Sequence, residues 1–555
     1  MQPSPSNHPS TTPRDSRFWL VFVANLVVDL LSALDLTAVS TALPTIVQHL
    51  HGSEFIWVGS AYAIASTAIL PTVGGLVTIF GRKPILICFI TAFAVGSAIC
   101  GAAHNMDMLI VGRAIQGLGG GGCIAVTEII YADLVPLPER GKFQGITALV
   151  WALACGMGPP VGGALANSDA WRWIFYLNLP LCGIAILLVT VFLTVNTPRQ
   201  GFKEKITQID WLGLFLIIAS TVAIMIGLTW GGIKFPWISP QVLVPVCLGA
   251  AGLVGFIFVE MFLAKEATVP AFLLTNRTIL SGYLGTFFHG VVSMAVIFYL
   301  PIYFQACKLA SPIRSGVDLF GLALTIAPFA IFTGLSVEIF KRYRPQNYVG
   351  WMLTIVGFSL LSTLSADSAQ GKYIGYEVIV GIGLGITWIS TQFPILAPLP
   401  YSNNAHALAF FTFLRCFAQS WGTVIGGAIL QNYLSSRLPD GLENVAGTNP
   451  ELIYALIPAI RGLSGPLQSD VRRIFAEGLA LIWRIMIAFC AVGFLTCLLM
   501  REVPMRTALD EAWGLKDQKE DTIDMSNEEN GTTKELSWLH ECTSLFHQLV
   551  NMMIM

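Results

Sequence analysis

Residues 18–44 read FWLVFVANLVVDLLSALDLTAVSTALP, an apolar run whose only charges are Asp29 and Asp35. A helix crossing a bilayer needs about 20 mostly apolar residues, so this run is long enough to span. It follows a head rich in Pro, Ser and Thr, and another apolar run comes directly after it. That order marks a span and not a cleaved signal peptide. Thirteen further runs follow, at 56–80, 84–104, 107–130, 143–165, 172–195, 210–230, 241–263, 278–304, 316–338, 346–366, 373–397, 406–431 and 478–500. The chain of 555 residues is 54% hydrophobic and 12% charged, with mean hydropathy +0.69. An ordinary soluble domain is about 25% charged. A chain this apolar must be covered by a lipid bilayer. Soluble, disordered, collagen-like and nucleic-acid-binding classes are excluded together.

The net charge of −2 hides an uneven distribution. From Arg501 onward the chain has 5 basic and 11 acidic residues, so the tail is acidic. Most of the 11 cysteines lie in apolar runs without paired spacing. They read as small packing residues, and no metal site or cofactor is expected. With the N-terminus in the cytosol, the inner loops hold fourteen Lys and Arg, among them Arg82, Lys83, Arg140, Lys142, Lys341 and Arg342. The short outer loops hold only Arg172, Lys234, Lys308, Arg314 and Lys372. The excess of inner cations sets this orientation and puts both termini in the cytosol. The sequons at Asn276 and Asn530 then face the cytosol and are expected to stay unmodified.

The run 143–165 contains Gly158-Pro159-Pro160-Val161-Gly162-Gly163, and the run 406–431 contains Gly422-Thr423-Val424-Ile425-Gly426-Gly427. Both read Gly-x-x-x-Gly-Gly, and a Pro-Leu-Pro loop precedes each. Matching these runs pairs the first six spans with the last six, a repeat of the kind transporters place around their substrate. The resulting organisation is a cytosolic head at 1–17, a bundle at 18–195 and a linker with two inserted spans at 196–277. A second bundle fills 278–500, with a long outer loop at 432–477, and a cytosolic tail fills 501–555.

Ordered motifs run through residues 34–180. They begin with Leu34-Asp35-Leu36-Thr37-Ala38-Val39 and Ala42-Leu43-Pro44. Gly81-Arg82-Lys83 and Arg113-Ala114-Ile115-Gln116-Gly117 come next, then Gly145 through Gly158-Pro159 to Gly162-Gly163. Trp171-Arg172-Trp173-Ile174-Phe175-Tyr176-Leu177-Asn178-Leu179-Pro180 closes the set. In this order they resemble the major facilitator superfamily, in its fourteen-helix drug:proton antiporter branch from fungi. The resemblance covers about residues 18–500. It implies an all-α membrane protein of two six-helix bundles plus two inserted helices, fourteen transmembrane helices in all. It also implies that export goes with the Gly158–Gly163 motif, and that Gly81, Arg82 and Lys83 control conformation. The family pattern has an acid where this chain has Thr78, an acid thought to lock the inner loop. The equivalent loop of the second half, Gly334 to Lys341, keeps one at Glu338. Ala154 stands where the pattern has Gly, a small change.

Charges inside the bilayer cost roughly 2.5–3.5 kcal/mol each on insertion scales unless paired or hydrated, so they are the first functional candidates. Asp35 lies nine residues from the outer end of its run, about 13 Å, and Arg113 six residues from the outer end of its own, about 9 Å. They can pair, and a carboxylate beside a buried cation can alternate between a paired ionised state and a protonated one. That is the behaviour proton coupling needs. Asp29 lies about 240° around the helix from Asp35, near mid-bilayer. It is a second proton-carrier candidate or a contact for a cationic substrate, or a capping residue. Glu377 and Arg415 are candidate gate partners, and Gln116 and Gln392 are further candidate substrate contacts. Glu128 reads as snorkelling to water, Glu260 as structural, and His289 as a packing residue.

The expected function is proton-coupled efflux of small, mostly hydrophobic compounds such as toxins or a secondary metabolite, by a monomer in the plasma membrane or the vacuolar membrane. Its partners would be the small-molecule substrate and protons. A carrier of basic amino acids or siderophores is the rival, and a channel is a distant third. No Gly-x4-Gly-Lys-Ser/Thr phosphate loop supports an ATP-driven pump. No histidine-rich cluster supports a membrane enzyme, so no catalytic residue is expected.

Overall fold

The computed structural model describes residues 16–50, 56–193, 202–232, 234–264, 267–437, 457 and 460–505. Most of the head, the segment 438–456 and the tail beyond 505, with Asn530, lie outside the described residues. Fourteen long helices follow one another: α1 Ser16–Leu50, α2 Ile56–Phe80, α3 Arg82–Gly101, α4 Met106–Leu134, α5 Leu137–Asn167, α6 Asn178–Phe192, α7 Trp211–Trp230 and α8 Pro240–Phe262. The second half adds α9 Arg277–Ile302, α10 Phe320–Phe340, α11 Arg344–Leu361, α12 Gln370–Ser390, α13 Asn404–Ser435 and α14 Gly465–Leu499. Among the described residues no strand forms beyond one isolated bridge between Gly231 and Phe235. Among the described residues, thirteen helices are long and apolar enough to cross a membrane. The remaining one, α11, has 18 residues, about 27 Å, and opens with Arg344, Gln346 and Asn347 in its first turns.

Helix pairing repeats between the halves. In the first, Gly158 of α5 packs on Thr37 of α1, and Gly117 and Gly121 of α4 pack on the backbone of Tyr62 and Ser66 in α2. In the second, Gly422 of α13 packs on the Val291 carbonyl of α9, and Gly385 of α12 packs on the Ile326 carbonyl of α10. Without water to hydrogen-bond, membrane helices gain by close backbone approach, and small residues permit it. These are two six-helix bundles of the same design. The inserted pair, α7 and α8, is zipped by Gly249 against the Ser220 carbonyl. Leu248, Val254 and Phe262 of α8 are 65–70% exposed, an apolar face suited to lipid.

Three boundaries differ from the sequence reading. α1 continues through Pro44 to Leu50, so Asp35 lies deeper than a span ending at 44 implies. The outer loop is shorter than 432–477. α13 runs to Ser435 and α14 starts at Gly465, with Pro466 at its N-terminus. The stretch Asp470–Glu477, inside that loop by the sequence reading, belongs to the outer end of α14, anchored by Arg472 to the Cys307 carbonyl (2.7 Å) and to Asp367 (3.1 Å). Residues 501–505 belong to the body and not to a free tail. The Tyr343 hydroxyl donates to the Arg501 carbonyl at 2.7 Å, and the Tyr343 amide donates to Glu502 at 3.2 Å.

The bundles meet along their inner halves, the face at which α1 begins. Gly141 of α5 lies against Gly334 of α10, Gly145 against Ile331, and Gly74 of α2 against the His406 backbone of α13. Lys142 and Glu338 join the bundles at 3.0 Å. Among the described residues, α1 and α9 are not in extended contact.

Candidate functional site

Asp35 and Arg113 are almost fully buried and form an ion pair, Nη1 to Oδ2 at 2.5 Å. Arg113 also donates through Nη1 to the Gln116 side-chain oxygen (2.7 Å) and through Nε to the Val58 carbonyl (3.0 Å). Its guanidinium lies 4.5 Å from the Tyr62 ring centroid. The other Asp35 oxygen accepts from Gln116 Nε2 (2.8 Å) and Asn178 Nδ2 (3.0 Å), and both amides also reach Ser97 Oγ. α1, α2, α3, α4 and α6 all contribute. Gly96 makes the arrangement possible, because a Cβ there would lie 2.4 Å from the Gln116 amide nitrogen. A carboxylate holding a guanidinium and two amide donors has its ionised form fully satisfied. Gln116, a candidate substrate contact in the sequence, is placed inside this network. Asn178 and Ser97 were missed, although Asn178 is a polar residue within the quoted Trp171–Pro180 motif.

A second polar group lies where the bundles meet. Glu128 of α4 accepts from Gln144 of α5 at 2.7 Å and from Gln392 of the second bundle at 3.4 Å. It is half-buried between α5 and the residues after α12, held by amides from both bundles. Arg415 of α13 donates to the Trp388 carbonyl at 2.9 Å, and its guanidinium lies 4.2 Å from the Trp388 ring and 4.3 Å from that of Phe411. Asp29 accepts from Thr127 at 3.2 Å, and its other oxygen has no partner.

Glu377 and Arg415 do not pair. Glu377 is buried beside Gly321 near the outer end of α12. The carbonyl that Arg415 reaches, at Trp388, is eleven residues further along α12, about 16 Å away. The failure has a simple cause: α12 starts at its outer end and α13 at its inner end, so the two charges sit at different depths. His289 hydrogen-bonds the Leu384 carbonyl through Nε2 at 3.2 Å and packs against Trp388. Glu260 accepts from the Val269 amide at 3.2 Å, tying α8 to the segment before α9. Arg484 is exposed on α14.

In the inner-loop motif, Gly81 takes φ 94°, a left-handed conformation that glycine adopts without strain. Arg82 pairs with Asp133 at 2.8 Å, and Lys83 donates to the Thr190 carbonyl at 2.6 Å. The Thr78 hydroxyl folds back onto the Gly74 carbonyl at 2.8 Å. Beside it opens a cavity of about 450 Å³ lined by Thr72, Thr78, Asp210, Thr268, Asn403 and His406. Its counterpart Glu338 makes the bridge to Lys142. Gly158 is tight against Thr37, whereas a Cβ on Gly163 would meet nothing within 4 Å. Gly162 is buried, and Pro159 lies within α5. Among the described residues no group of three or more His, Cys, Asp or Glu is placed to hold a metal.

A paired helical repeat, inserted spans and buried charges together define a multi-pass membrane transporter. The family model described as Major Facilitator Superfamily matches residues 26–423, and the chain belongs to that superfamily. Efflux pump FUS6 of Gibberella fujikuroi is 37% identical over 544 residues, covering 95% of this chain and 98% of that protein. The acurin A biosynthesis cluster MFS-type transporter of Aspergillus aculeatus is 38% identical over 511 residues, covering 90% of this chain and 92% of that one. The solved structure of the proton:xylose symporter XylE has a TM-score of 0.53 at 15% identity, covering 83% of this chain and 98% of that chain. That likeness concerns the fold alone.

Proposed function

We propose that the protein is a proton-coupled antiporter that exports small, mostly hydrophobic compounds, acting as a monomer in the plasma membrane with its N-terminus in the cytosol. The observation that carries the reading is the buried Asp35–Arg113 pair inside a complete hydrogen-bond network. Burying an ion pair costs several kcal/mol per ion before its attraction is counted. A pair whose carboxylate takes up one proton and releases it again in each cycle has a use that a purely structural pair lacks. The efflux direction follows from similarity to a named efflux pump.

The inner contacts fit an outward-facing state. From there, protonation of Asp35 would release Arg113 and let the bundles rock, closing the outer side and parting Gly141 from Gly334. Proton entry down the membrane potential supplies about 2.3 kcal/mol per charge per 100 mV. The test uses purified protein in sealed vesicles, an imposed acid jump and a panel of apolar compounds. The wild type is expected to move solute against the proton flux. Asp35→Asn is expected to lose the pH dependence while staying folded in the membrane. An unchanged pH dependence in that variant removes Asp35 from the coupling role.

A further inference from the structure

Arg415 differs from the other buried arginines. Arg113 pairs with Asp35, Arg82 pairs with Asp133, and Arg140 donates to the carbonyls of Val135 and Ala132. Arg415 is only 8% exposed, forms no ion pair among the described residues, and has an Nε without a partner. One backbone carbonyl, that of Trp388, is its single hydrogen-bond acceptor among them. The rings of Trp388 and Phe411 hold the guanidinium between them at 4.2 and 4.3 Å. Glu128 faces it from the other bundle, but that carboxylate is engaged by the amides of Gln144 and Gln392. The remaining oxygen of Gln392 is itself buried without a partner.

Glu128 offsets part of the Arg415 charge across the bundles without a direct ion pair, but a buried donor left without an acceptor is costly, and that cost at a bundle interface is a mark of function. A planar guanidinium with free N–H groups matches a carboxylate, which accepts two parallel hydrogen bonds from it. The aromatic rings beside it suit an apolar or aromatic body. We infer that the Arg415 site, framed by Trp388, Phe411 and Gln392, binds the exported compound through a carboxylate carried on an apolar skeleton. This inference rests on the reading of the protein as a carrier, and it names the substrate class. Binding would pull Arg415 away from Glu128 and so couple occupancy of the site to the contact between bundles.

The test measures binding of three probes of one shape to the full-length protein in lipid nanodiscs at neutral pH: 2-naphthoate, 2-naphthamide and 2-naphthylmethylammonium. The wild type is expected to bind naphthoate at least tenfold more tightly than either of the others. Arg415→Gln is expected to abolish that preference, and Arg415→Lys to keep part of it. Tightest binding of the ammonium probe overturns the inference and transfers the site to Asp29, whose second oxygen is unpartnered. Equal binding of all three, absence of binding, or a naphthoate preference that survives Arg415→Gln also overturns it. The wild-type comparison decides the matter even where a variant fails to fold. Proton coupling is read separately by the acid jump. A naphthoate preference without coupling removes the antiport reading and leaves this site standing, and coupled transport without the preference does the reverse.

Discussion

Gly141 and Gly334 touch across the two bundles: a Cβ on Gly334 would lie 2.2 Å from the Gly141 carbonyl carbon. Both sides of this contact are backbone, so no side chain can swing aside to make room. Gly334→Ala must therefore part α5 from α10 at the inner face. We expect it to shift the protein toward the inward-open state, to raise labelling of cysteines introduced along the inner half of α10, and to reduce export at least tenfold. Unchanged labelling would show that the inner face is not closed by this contact.

Lys142 and Glu338 lie beside that contact, about a quarter exposed each. Such a pair contributes up to about 1 kcal/mol, roughly a fivefold change in an equilibrium constant. Reversing one charge, by Lys142→Glu or Glu338→Lys, should change the transport rate by no more than about fivefold. The double reversal should recover most of the loss. A hundredfold effect of either single variant would mean that the bridge does more than steady the closed state.

On α5, a Cβ at Gly158 would lie 1.9 Å from Thr37 Oγ1 and 2.7 Å from Thr37 Cβ. The Thr37 hydroxyl donates to the Ala33 carbonyl at 2.9 Å within α1. Gly158→Ala is expected to overpack the α1–α5 contact and destabilise the protein by about 1–3 kcal/mol. Adding Thr37→Ala removes the hydroxyl and should return part of that loss. Thermal midpoints of the four proteins, read in detergent, complete the cycle. Equal midpoints for Gly158→Ala and the wild type contradict the packing argument.

Much of this architecture is legible in the residues because charge is expensive in lipid. Asp35 and Arg113 stand out in apolar runs for that reason alone, and the matched Gly-x-x-x-Gly-Gly runs pair α5 with α13. Ser97, Asn178 and the Val58 carbonyl stay hidden, since uncharged polar groups carry no comparable cost. Their convergence depends on how each helix is rotated. The partners of Glu128, Gln144 and Gln392, stay hidden because distance to the inner face treats α4 as a lone helix. The Glu377–Arg415 pairing failed for want of helix ends, which set depth. The extension of α14 out to Gly465 was masked by polar residues that read as loop.

Thr78 replaces the acid of the inner-loop motif and shares a cavity with Asn403 and His406 at the start of α13. A helix N-terminus favours a nearby negative charge by about 0.3–1 kcal/mol. Thr78→Asp also gives up the hydroxyl bond to the Gly74 carbonyl. We expect the dipole term to prevail, because the cavity gives the carboxylate room to reach α13. The inner closure should tighten and turnover should slow two- to fivefold, seen as slower release in a vesicle flux assay. Faster turnover would indicate that the lost hydroxyl bond dominates.

Asn276 tests the orientation on which the transport direction depends. Its side-chain oxygen caps α9, accepting from the amides of Thr278 (2.9 Å) and Ile279 (3.4 Å). It is also the acceptor position of a sequon, Asn276-Arg277-Thr278. The excess of basic residues puts this helix start on the cytosolic side, where no sugar is transferred. Glycosidase treatment of the protein from cells should therefore leave its electrophoretic mobility unchanged, while Asn276→Ala should lose about 1 kcal/mol of stability through the missing cap. Asn276→Asp retains a capping oxygen and should stay within a few tenths of a kcal/mol of the wild type. A mobility shift that disappears in Asn276→Asp would invert the topology, and the inner contacts between α5 and α10 would then close the opposite side of the membrane.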